Sequence, residues 1–185
     1  LTRARVHLEF VVSLYEEQIA AGRYFLHEHP RSASSWEESC IKKLLAKPVV
    51  EAVVADQCQY GSQVTFGQSN GQPIKKPTGF CSNSMCILEE LRKRCTGDGG
   101  DCSRPQGGVH AQCQGRIAKE AARYSDGLCR AIVRGAQKEM QSRGYIKSGM
   151  VGIHSIEEED AIDFGADMGV AVPFAGGDGA GPAME

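Results

Sequence analysis

Three stretches of the chain gather residue types that do chemistry. The first, Arg23-Tyr24-Phe25-Leu26-His27-Glu28-His29-Pro30, sets two imidazoles around a carboxylate. On a strand His27 and His29 share one face, and two ring nitrogens make a metal site only with a third ligand. Asp56, at the end of another predicted strand, is the acid available for that role. The chemistry would be metal-dependent hydrolysis, as in a nuclease. The spacing differs from the helical HExxH pattern. The plainer reading is a polar strand end whose histidines bond the backbone.

The second stretch holds Cys95, Cys102, His110 and Cys113, written Cys-x6-Cys-x7-His-x2-Cys, in a Gly-rich run. These are zinc ligand types, although ribbons and knuckles pair close ligands at both ends. An unstructured insertion over 96–114 is the competing reading. The third stretch is basic. Lys75-Lys76-Pro77-Thr78 offers two cations and a hydroxyl beside a rigid turn, which suits backbone phosphate. Arg116, Lys119, Arg123, Arg130 and Arg134 recur at helical intervals and suit a stripe along nucleic acid. A solvated hairpin and a solvated helix face account for them equally well.

Charge is divided along the chain. Residues 1–150 carry all 21 Lys and Arg against 15 Asp and Glu, net +6; residues 151–185 carry eight acids and no Lys or Arg, net −8. A basic body with an acidic tail fits a surface that meets nucleic acid, and fits equally a solvated surface followed by a linker. No apolar run approaches the roughly 20 residues that span a bilayer, so no membrane partner is expected. Eight cysteines without a secretory signal imply a reduced, intracellular protein, cytoplasmic or nuclear. The start at Leu1 in place of Met points to a piece of something longer.

The elements that must position these residues follow from periodicity. A helix is predicted over 3–21, with Phe10, Val11, Leu14, Tyr15 and Ile19 at helical spacing and Gly22 as the stop. Tyr24 to Glu28 reads as a short strand. Ser35 and Glu38 open a second helix carrying Trp36, Cys40, Ile41, Leu44 and Leu45. Val49 to Ala55 reads as a strand buried on both faces. Helix, strand, helix, strand in this order predicts parallel pairing in an open α/β sheet, of which only the C-terminal half of a Rossmann-like fold is present. Ile74 to Ser82 reads as an edge strand because of Pro77. A helix capped by Asn83 or Ser84 runs to about Arg94, and the helical pattern returns from Gly115 to Arg143 with a break near Ser125-Asp126-Gly127. Residues 1–147 form one domain on this reading, and 148–185 a disordered, acidic, Gly-rich linker.

A helix followed by a strand ending Leu26-His27-Glu28-His29-Pro30 looks like the part of cytosine-5 DNA methyltransferases that carries their Glu-Asn-Val motif. Asp56-Gln57-Cys58-Gln59-Tyr60-Gly61 and Lys75-Lys76-Pro77-Thr78-Gly79-Phe80-Cys81-Ser82-Asn83 are similar to that family's next strand and hairpin. With Gly22-Arg23, Ser35-Trp36, Asn83-Ser84 and Leu128-Cys129, the stretch His7 to Gly135 resembles a methyltransferase-like domain of copia-type retroelement polyproteins. The resemblance implies a Rossmann-like fold and S-adenosylmethionine as cofactor of the full domain. It implies DNA or RNA as partner, with a reverse transcriptase downstream in the same polyprotein. Glu28 stands where the family's Glu contacts the target base, with His29-Pro30 in place of Asn-Val. The nucleophilic Pro-Cys motif and the cofactor loop belong to the first half of that fold and are absent here. The expectation is therefore a nucleic-acid-associated fragment that binds no cofactor and catalyses nothing alone. The alternative is a small zinc-dependent module that binds nucleic acid or protein.

Overall fold

The computed structural model describes residues 2–147; the acidic segment read above as a linker lies outside the described residues. Helix α1 spans Thr2–Ala20. It ends where Gly22 takes φ +67° and Arg23 N–H reaches back to the Gln18 carbonyl, a closure that favours glycine. Its inner face is Leu8, Val12, Tyr15 and Ile19. Phe10 and Leu14, expected inside, are 58% and 38% exposed. The 4-3-4 spacing of the buried set follows one side of a 3.6-residue helix, and Phe10 and Leu14 fall beside that stripe.

Strand β1 (Leu26–Pro30) leads through a 3-10 turn at Ser34–Glu37 to α2 (Ser39–Leu45) and then to β2 (Glu51–Asp56). Strand β3 (Pro77–Ser82) follows, then α3 (Met85–Glu90), α4 (Gly115–Glu120) and α5 (Asp126–Ser142). The protein is thus α/β, but the half-Rossmann expectation of adjacent parallel strands is corrected. The sheet order is β1-β3-β2 and both pairings are antiparallel. β1 and β2 point the same way, with β3 between them.

Burial explains the order. Every residue of β3 from Thr78 to Ser82 is buried, so β3 needs cover on both faces and both edges, and only the centre of a sheet provides that. β2 was expected to be buried throughout, yet Glu51 and Ala52 are exposed, which suits an edge. Nor does Pro77 demote β3. It is the first residue of the strand, opposite Asp56, whose N–H turns away to the Lys93 carbonyl, so no ladder bond is lost.

Alternation along the strands divides the core in two. Phe80, Val53, Ala55 and Leu26 face α3 and α5, packing with Ile87, Leu88, Leu91, Leu128 and Ala131. Cys81 faces α1 and α2, with Phe25, Ile41, Leu44 and Val50. On that side Trp36 lies over Gly79, where a Cβ would come within 2.6 Å of the indole. Ser84 caps α3 through the Ile87 N–H and donates to Glu139 of α5 at 2.7 Å. Ser125 caps α5 and donates to the Tyr60 carbonyl at 2.7 Å. All eight cysteines are free of disulfides. Among the described residues no helix is long and apolar enough to cross a membrane.

Candidate metal centre

The Gly-rich stretch 96–114 has a defined path. Asp101 and Val109 form an antiparallel bridge, Cys102 N–H bonds the Gly108 carbonyl, and His110 N–H bonds the Gly100 carbonyl. Arg104 ties the loop to the body, donating to the Gly107 and Gly71 carbonyls and to Gln63. At the root of the loop, the fully buried Asp56 carboxylate at the end of β2 accepts from Arg94 Nε and from the Cys95 N–H, both at 2.8 Å. That bond sets the position of Cys95 beside Cys58, which follows β2 by two residues.

Cys58, Cys95, Cys102 and His110 converge here, with one ligand atom from each within 4.8 Å of all the others. Cys95 Sγ is 3.9 Å from Cys102 Sγ and 3.6 Å from His110 Nε2. Tetrahedral zinc with its usual bond lengths sets S–S and S–N edges of about 3.8 and 3.5 Å. The other imidazole nitrogen, Nδ1, lies 2.8 Å from the Gly100 carbonyl, an outer contact that turns Nε2 toward the sulfurs. This group can hold a metal ion. Comparison with protein-family models, curated proteins and solved structures gives no match. The reading of this centre therefore rests on its own geometry.

The sulfurs differ electrostatically. Burial works to raise Cys95, but hydrogen bonds from Ser103 and Gly97 outweigh it and bring the thiol down to about 6. Burial, with the neighbouring Cys102 and Cys95 thiols adding to it, pushes Cys58 up to about 12. A divalent cation at the centre would reverse that preference, since the thiolate is the ligand form. Four protein ligands would fill the tetrahedral shell of a bound ion, the arrangement of structural zinc sites.

The sequence-derived set is corrected at one member. Cys113 is exposed and outside the group, and Cys58 takes its place. After His110 the chain is drawn away, because Ala111 N–H bonds the Pro73 carbonyl. Cys58 lies far upstream in sequence, where spacing does not link it to the other three. Its one signal is its place three residues after the apolar strand 49–55.

The structure does not gather the histidine segment into a site. His27 and His29 share a face and stack at 4.8 Å, while Glu28 points to the other face, beside Tyr124. Asp56 is committed to Arg94 and Cys95. The imidazoles bond side chains, not backbone: His27 Nδ1 meets the Tyr15 hydroxyl at 3.2 Å and His29 Nδ1 meets Ser35 Oγ.

His27 is 4% exposed, and burial, then the His29 charge, lowers its pKa from 6.5 to about 4. Between those values the unfolded chain binds a proton that the folded chain refuses. Stability from this group is complete above about pH 6.5 and is lost as pH falls toward 4, by about 3 kcal/mol in all. Urea melts of the native chain and of His27→Phe, at neutral pH and near pH 4.5, should show the native chain losing about 2–3 kcal/mol more. Parallel losses would contradict a neutral, buried His27.

The basic residues divide as well. Thr78 is fully buried and its hydroxyl accepts from Gln57, so it is not presented to a phosphate. Lys76 Nζ donates to the Ala121 carbonyl. Arg116 lies over the Phe66 ring at 4.1 Å, and Lys119 and Arg123 are exposed. Lys75 is half-buried. Lys75, Arg116, Lys119 and Arg123 form no ion pair among the described residues.

Proposed function

We propose that the chain is a zinc-dependent nucleic-acid-binding module, in which Cys58, Cys95, Cys102 and His110 hold one structural Zn²⁺. The observation that carries this reading is the match between the 3.9 and 3.6 Å ligand separations and the edges of a zinc tetrahedron. The ion ties the 96–110 loop to the end of β2. The same loop runs on through Ala111, held by the Pro73 carbonyl, into α4 with Arg116 and Lys119. Zinc thereby sets where those cations stand relative to Lys75 and Arg123. Unpaired cations on a body of net +6 suit phosphate contact. The module needs no upstream catalytic half, although the retroelement resemblance would give it a nucleic-acid partner to hold.

Metal analysis of the purified chain should find about one zinc per chain. Cobalt substituted at the site should give thiolate-to-metal charge-transfer absorption. Cys58→Ser should lose both signals and Cys113→Ser should keep both. Anisotropy with labelled DNA and RNA oligonucleotides should give affinities that fall with salt and weaken on joint substitution of Arg116 and Arg123 by Gln. A chain without bound zinc refutes the metal centre. A zinc-loaded chain with no salt-dependent binding refutes the nucleic-acid role alone.

A further inference from the structure

The open edge of β2 carries a second reading, independent of the metal. Backbone direction alternates along a strand, and two bonds fix it here: Gln57 N–H turns inward to the Lys76 carbonyl, while Asp56 N–H turns outward to the Lys93 carbonyl. Ala52 and Val54 therefore also present their N–H and C=O groups outward. Neither makes a backbone hydrogen bond on that side among the described residues. Protein edges are ordinarily blunted by charge, proline or a bulge. β1, the other edge, ends in Pro30, whereas Ala52-Val53-Val54-Ala55 has none of these. At Asp56 the edge is already closed by the 93 segment, which limits any added strand to residues 51–55.

We infer that this edge pairs with the same edge of a second copy, antiparallel about a two-fold axis at Val53. In that register Ala52 and Val54 of one copy exchange both hydrogen bonds with Val54 and Ala52 of the other. Glu51 lies opposite the partner's Ala55, clear of the partner's own Glu51. Charge complementarity favours this occupant over an unrelated strand. The edge begins at exposed, acidic Glu51 and ends against the exposed Arg92-Lys93-Arg94 run, so a two-fold brings each acidic end to the other's basic end. A groove of about 440 Å³ lined by Trp36, Leu45, Ala52, Val54 and Gly79 borders the edge and would be closed by the second copy. The two sheets join as one of six strands.

Light scattering on the full chain at micromolar concentration should give twice the 19.9 kDa chain mass. Hydrogen exchange should find the Ala52 and Val54 amides protected. Ala52→Pro removes an outward N–H that the intrachain ladder does not use, and should give a monomer with unchanged circular dichroism. Glu51→Lys sets like charges together and should raise the dimer dissociation constant at least about tenfold, more so at low salt. Fluorescence of Trp36, the single tryptophan, should shift on dilution in the native chain and not in Ala52→Pro. A monomeric native chain with freely exchanging amides at 52 and 54 overturns the inference, including the case in which the edge serves some other protein's strand. So does a dimer that both variants leave intact.

Discussion

Stripping zinc from the loaded chain is expected to lower its melting temperature by roughly 10–15 °C. An ion that binds only the folded state adds about 4 kcal/mol when its free concentration is a thousand times its dissociation constant. A body of this size shifts by roughly 3 °C per kcal/mol. The coupling should be global, not confined to the loop. Cys58 lies two residues after β2, and Asp56, the last residue of that strand, holds the backbone of Cys95. Without the ion, three buried sulfurs and an imidazole remain crowded with one another, and burial, reinforced by the Cys102 and Cys95 thiols, keeps Cys58 protonated. Thermal melts with and without a chelator measure the effect. Equal melting temperatures would mean that the four side chains hold no ion.

The second large effect is expected at Gly135. A Cβ there would stand 2.5 Å from Ile87 Cα, 2.9 Å from the Cys86 carbonyl and 3.1 Å from Ile87 N. All three are backbone atoms of α3, which cannot step aside as a side-chain tip would. Gly135→Val must push α5 off α3 and open the cluster of Phe80, Leu88 and Leu128. The gain in helix propensity is under about 1 kcal/mol. Overpacking of this kind costs about 3 kcal/mol, enough to lower the melting temperature by roughly 10 °C. Gly144→Ala is the control: its Cβ meets nothing within 4 Å, but φ is +74°, so the cost is limited to about 1–2 kcal/mol of backbone strain. Similar losses in both variants would show that α3 and α5 do not approach so closely.

The elements themselves were legible in the sequence, because helical and strand periodicity are local. The helix predicted over 3–21 is Thr2–Ala20, the Ser84 cap starts α3, and the break at Ser125-Asp126-Gly127 is the start of α5. Strand neighbours were not legible. Alternation states which face a residue takes but not which strand lies alongside, so a helix-strand order that fits parallel pairs also fits an antiparallel strand slipped between them. The candidate centre divides the same way. Cys95, Cys102 and His110 stand close in sequence and were visible as a group. Cys58 reaches them only in the folded chain, where the Asp56–Cys95 bond, between residues 39 apart, and Gln59, which donates to both Cys58 and Cys102, join the two segments.

The place of β3 also governs how the protein is made. Among the strands of the described residues it is the last to be synthesised and the one that touches both others. Until Ser82 has left the ribosome, β1 and β2 have no strand to pair with, and their helices cover an absent middle. Assembly of the sheet is thereby delayed to a single late event, and the cysteines at 95 and 102 emerge only after it. A nascent chain cut between β2 and β3 is left with two unpaired strands and no central strand to join them, which makes it a ready target for quality control.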